Sequence, residues 1–85
     1  MKATRAQVIK ATNAVRNILQ EAGLAGADLT VGTLSDALRL AQATGKAGKR
    51  VTVQDVLERL VAWHVLAPSM WGFRLMEGVA VLHLQ

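Results

Sequence analysis

The chain has 85 residues, 52% of them hydrophobic, with no cysteine and a formal net charge of +4. That length makes one domain, residues 1–85, with a single small core that buries about 60 to 65% of the unfolded chain's surface. The lack of cysteine excludes disulfides and thiolate metal sites, and no apolar run approaches the roughly 18 residues of a membrane span. So apolar a composition around so small a core predicts leftover apolar surface, and hence a homodimer or a protein partner.

The opening residues, Met1 to Arg5, carry no apolar signal segment, which together with the absence of cysteine points to a cytoplasmic location. From Thr4 to about Ala22, Val8, Ala11, Thr12, Val15, Ile18, Leu19 and Ala22 recur at helical spacing. They predict a first helix with one core stripe. Thr4 with Gln7 makes a capping box, and Gly23 is a natural stop. The run GLAGADLTVG that follows is too rich in glycine for a helix, but Asp28 to Val31 within it is a candidate short strand, a third member for a C-terminal hairpin. Thr33, three residues before Asp36, then caps a second helix whose Leu34, Ala37, Leu38 and Ala41 face one way, ending at Gly45.

Lys46, Lys49 and Arg50 fall within the segment TGKAGKR, which has two glycines and no evident apolar anchor. It predicts an exposed, mobile, cationic loop. A phosphate loop is excluded, since Ala43 and Arg50 stand where Gly and Ser or Thr are required and no apolar strand precedes it. Thr52 with Asp55 caps a third helix, with Val53, Val56, Leu57, Leu60, Val61 and His64 as its core stripe and Gln54, Asp55, Glu58, Arg59 and Ala62 outside. Pro68 prevents its continuation.

From Trp71 the period becomes alternating, and Glu77-Gly78 is the one turn signal, which predicts a tight hairpin. A two-residue loop there pairs Met76 with Val79, Leu75 with Ala80, Arg74 with Val81 and Phe73 with Leu82. Phe73, Leu75, Ala80, Leu82 and Leu84 then share the face that covers the helices. Arg74, Met76, Val79, Val81 and His83 share the other, which is more apolar than a solvated face.

The fold class is therefore α+β: three helices with a C-terminal hairpin, in the order helix, short strand, helix, helix, strand, strand. That order resembles the winged helix-turn-helix domains of prokaryotic regulators. The most specific part is TVQDVLERLVAWHVLAPSMWGFRL. There a capped start at Thr52-Val53 is followed by Leu57 and Leu60, an apolar pair at the helix exit in Val65-Leu66, and a Gly-aromatic-Arg-Leu strand at Gly72 to Leu75. Three features depart from the pattern: His64 stands where glycine is usual, the connection before the third helix is long, and that helix carries Asp55 and Glu58 on its exposed face.

The resemblance implies a winged-helix DNA-binding protein, a transcriptional regulator acting as a homodimer with its third helix in the major groove of double-stranded DNA. Lys46, Lys49, Arg50 and Arg74 are then the phosphate contacts. Thr52, Gln54 and Arg59 are the base contacts, since Gln pairs with adenine and Arg with guanine. The alternative is a winged-helix protein-interaction module that uses the outer hairpin face, Met76, Val79, Val81 and His83, with strand addition along Val79 to Gln85 as one means. Trp63 and Trp71 read as core or interface residues. His64 and His83, without cysteine or converging carboxylates, make no metal site. No serine has a plausible base beside it. No catalysis, cofactor or metal is expected.

Overall fold

A computed structural model of the chain describes residues 2–24, 26–68 and 81–84. Over these residues the elements run α1 (Arg5–Glu21), β1 (Asp28–Thr30), α2 (Val31–Ala43), α3 (Val53–Ala62), β2 (Leu66–Pro68) and β3 (Val81–Leu84). No helix among the described residues is long and apolar enough to cross a membrane.

Each helix starts on a threonine whose hydroxyl satisfies a backbone donor of the first turn. Thr4 and Thr52 do so in full capping boxes: Gln7 N donates to Thr4 Oγ1 at 3.2 Å while Thr4 N donates to Gln7 Oε1 at 2.8 Å. Thr52 and Asp55 repeat the exchange at 3.1 and 3.2 Å. The second helix corrects the expectation. Its cap is Thr30, which accepts from Thr33 N at 3.3 Å, so Thr33 lies inside the helix and Val31 opens the helix instead of closing the strand. Thr30 can serve both elements because its extended backbone ends β1 while its side chain caps α2.

All three helices end in the same way. The residue after the cap turns left-handed, and two backbone bonds fold back onto the last turn. In α1 the left-handed residue is Gly23 (φ 75°), with Gly23 N bonded to Gln20 O and Leu24 N to Leu19 O. In α2 it is Gly45 (φ 74°), with Gly45 N on Gln42 O and Lys46 N on Ala41 O. In α3 it is His64 (φ 58°), with His64 N on Val61 O and Val65 N on Leu60 O. The histidine at the usual glycine position thus performs the glycine's turn. Helix α3 consequently stops at Ala62, and Pro68 sits in a strand instead of ending the helix. His64 and Val61 leave the expected core stripe and are exposed, whereas Val65, the next residue, is buried against the core.

The core lies between the three helices and β1. Val8, Ala11, Thr12, Val15 and Leu19 are the buried face of α1, and Leu34, Ala37, Leu38 and Ala41 that of α2. From α3 only Val56 and Leu60 are fully enclosed, with Val53, Leu57 and Trp63 packed at the margin. Thr12 is the one buried polar side chain among the described residues, and its hydroxyl donates to Val8 O at 2.7 Å.

The sheet has the order β1-β3-β2, both pairs antiparallel. Leu82 lies between Leu29 and Pro68, and His83 between Asp28 and Ala67. The early helix exit at His64 frees Leu66 to Pro68 to become a strand, which pairs Pro68 with Leu82. One expectation falls here: β3 is the central strand, paired on both sides, so Val81 to Leu84 offers no free edge for strand addition. The expected Glu77-Gly78 turn, and with it Trp71, Phe73, Arg74, Leu75, Met76, Val79 and Ala80, lies outside the described residues.

Two stability measurements check this account. A side chain held left-handed costs on the order of 1 kcal/mol, so His64→Gly is expected to raise the urea midpoint by the equivalent of about 1 kcal/mol. His64→Val should lower it, because a β-branched residue resists φ > 0 more strongly. For Thr12, Val8 O already receives the helical bond, so a hydroxyl of modest net worth is lost without leaving an orphan. Thr12→Val is expected to change stability by less than about 1 kcal/mol, against about 2–5 kcal/mol for Leu60→Ala, which opens a cavity.

Candidate functional site

The positive charge expected in the TGKAGKR segment is displayed on a built loop. Lys46, Lys49 and Arg50 are all exposed. The loop beneath them is not the unanchored segment that its composition predicts: Ala47 is 6% exposed and Val51 3%, both part of the hydrophobic core. Lys46 N and Ala47 N both donate to Ala41 O, at 2.8 and 3.2 Å, which ties the loop to the last turn of α2. Val51 N donates to Gly48 O at 3.3 Å, closing a turn with Lys49 and Arg50 at its two corners. The side chain of Gln42 spans the same turn, its Nε2 donating to Gly48 O and to Val51 O, each at 3.1 Å.

The loop lies against α1 on one side and leads into α3 on the other. A methyl group placed on Gly48 would lie 4.0 Å from Cδ and Nε2 of Gln7, in the first turn of α1. Lys2, just ahead of α1, and Arg5 and Lys10 in its first turns are exposed as well. Arg50 stands two residues before Thr52, the cap of α3, whose helix N-terminus carries a partial positive charge of its own.

The residues expected to read bases fare differently. Thr52 is exposed, but its hydroxyl is committed to capping. Gln54 is exposed and its Nε2 donates to Glu58 Oε1 at 3.0 Å, one turn along. Such a pair on a helix surface stabilises by only about 0.2–0.5 kcal/mol, so it orients Gln54 without locking it. The remaining amide hydrogen and the carbonyl oxygen stay available. Arg59 is only half-exposed. It lines a shallow concavity of about 280 Å³ with Val8, Asp55, Glu58 and Ala62, in the groove between α3 and α1. It thus lies among the carboxylates of its own helix rather than on the most outward face.

Arg74, Met76 and Val79 lie outside the described residues; Val81 and His83 belong to the central strand. Among the described residues no group of three or more His, Asp or Glu side chains is placed to hold a metal ion. Two residues that matter to this surface escape sequence reasoning. Ala47 is a single small apolar residue between glycines, and Gln42 is an amide near a helix end that reads as an ordinary surface residue. No periodicity or motif marks either.

Comparison with protein-family models, with characterised proteins and with solved structures finds no match for this chain.

Proposed function

We propose that this domain is a winged-helix protein that binds double-stranded DNA, meeting the phosphate backbone with the turn at Lys46 to Arg50 and presenting the start of α3 to the major groove. The observation that carries the reading is the set of three exposed cations on a core-anchored turn directly ahead of α3. Phosphate contacts position a protein on the duplex, and base edges met by an adjacent helix add selectivity. The element order α1-β1-α2-α3-β2-β3 with sheet order β1-β3-β2 supports the winged-helix part of the proposal. On this reading Lys49 and Arg50, at the turn corners, are the principal phosphate ligands, and Lys46 flanks them. Gln54 is the foremost base-contacting residue and Thr52 chiefly a cap. Action as a homodimer and in transcriptional control belongs to the same proposal, and the high apolar fraction of the chain supports association.

A second reading is a protein-interaction module on the same scaffold. Glu58 and Val61 favour it: both are exposed on α3, Val61 at 39%, and neither suits a helix face turned to a polyanion. Two other features support DNA over this alternative. The carboxylates of α3 are partly occupied, Asp55 by the cap and Glu58 by Gln54. Strand addition through β3, one route by which a protein partner would dock, is closed by pairing on both sides.

Binding to a duplex of mixed sequence, followed by fluorescence anisotropy across a salt series, tests the proposal. Each phosphate contact contributes about −0.9 to the slope of log affinity against log salt. Replacing Lys46, Lys49 and Arg50 together by alanine is expected to flatten that slope by about 2.7 and weaken binding most at low salt. Undetectable binding of the unmodified protein at low salt, or a triple variant that binds like it, would overturn the proposal.

A further inference from the structure

We infer that Gln42 is the positioning residue of the cationic turn: one side-chain amide holds both ends of the Gly48–Val51 turn and so sets Lys49 and Arg50 in place before any ligand arrives. The consequence for binding rests on the DNA reading above; the geometry does not.

A primary amide nitrogen carries two hydrogens. Gln42 Nε2 directs bonds to Gly48 O and Val51 O, the first and last residues of the turn, at 3.1 Å each. Its donor capacity is thereby fully used, and the two carbonyls are held a fixed distance apart. The backbone bond from Val51 N to Gly48 O closes the same turn at 3.3 Å, slightly longer than such bonds usually are, so the amide reinforces the weaker of the closures. Gln42 itself is fixed, since it sits in the final turns of α2, and Gly45 N caps back onto its carbonyl. With Ala47 and Val51 buried on either side, the segment between α2 and α3 has its interior points pinned. Its three cationic side chains are exposed to solvent. The exposed charges need a rigid base, because a turn ordered only upon binding pays its conformational entropy out of the affinity.

The side chains closest to glutamine in size do not repeat this. Glutamate has the same shape but, ionised, offers acceptors to two carbonyl acceptors. Methionine fills the space and donates nothing. Both variants leave the core residues untouched, and the partial exposure of Gln42 makes each tolerable to the fold.

The test is limited trypsin digestion of the full chain, paired with duplex binding across a salt series, for the wild type, Gln42→Met and Gln42→Glu. Trypsin cleaves after Lys and Arg, so Lys46, Lys49 and Arg50 report on the turn and Arg5, Lys10 and Arg16 report on α1. The inference expects cleavage at the turn to accelerate by about tenfold in both variants, with the α1 sites unchanged. It also expects duplex affinity to fall by about five- to tenfold at an unaltered salt slope, because the same phosphate contacts form once the turn is ordered. Turn cleavage at the wild-type rate, cleavage that rises equally along the chain, or an affinity within about twofold of wild type would each overturn it. A wild type that binds no duplex overturns the DNA reading instead, and the digestion pattern then decides alone whether Gln42 fixes the turn.

Discussion

Helix α3 cannot run past Ala62, because His64 turns the backbone left-handed and the amides of His64 and Val65 fold back onto Val61 and Leu60. That reversal sets most of what lies downstream. It drives Val65 into the core and opens β2 at Leu66, and β2 in turn pairs with β3, which is also held by β1 on its other side. Had the helix continued to Pro68, those residues would have been wound into its last turn and Leu82 would have needed another partner. A histidine can hold this position because its cost in the left-handed region is on the order of 1 kcal/mol, less than the gain from burying a side chain such as Val65 at about 1.5 kcal/mol or more. The three helix exits use one device, and the side chain matters less than the backbone bonds it permits.

The same economy governs the cationic segment. Two glycines and three charges suggest a chain that samples many shapes, yet the segment is tied by Ala47 and Val51 in the core, by the Ala41 carbonyl, and by the Gln42 amide. The charges are thereby separated from their anchors: Ala47 and Val51 turn inward, and Lys46, Lys49 and Arg50 turn out. The acids of α3 show a complementary arrangement. Asp55 serves the cap and Glu58 meets Gln54, so the helix that follows the cationic turn carries its negative charge partly engaged. This division of labour, cations on the turn and polar groups on the helix, is what the proposed DNA reading draws on.

Much of the local architecture was legible in the chain. Of the α1 stripe, Val8, Ala11, Thr12, Val15 and Leu19 are buried, Ile18 is partly buried and Ala22, at the helix cap, is exposed, while Leu34, Ala37, Leu38 and Ala41 are all buried as a 3.6-residue period implies. The caps at Thr4 and Thr52 and the stops at Gly23 and Gly45 follow from side-chain and backbone chemistry within four residues. A short strand near Asp28 was legible too. Its boundary was not: Thr30 and Thr33 are equivalent caps by local chemistry, and the choice fell to Thr30, the last residue of β1, whose hydroxyl accepts from Thr33 N. The candidate site was less legible. Its cations were evident from composition, whereas its anchors, Ala47 and Gln42, were not, and Arg59 proved to sit in a groove beside Val8 instead of on the outermost face.

By itself, then, the sequence determined where α1 and α3 start, which helix faces are apolar, and where positive charge gathers, because each of these depends on residues within a turn or two of one another. Tertiary structure alone decided the end of α3, the register and central place of β3, and the shape of the cationic turn. Those depend on partners far apart in the chain, Leu82 with Leu29 and Pro68 and Val65 with the packed helices, or on an amide whose two carbonyl partners no spacing rule connects. Local chemistry allows several outcomes at such points, and burial and backbone pairing across the molecule select one.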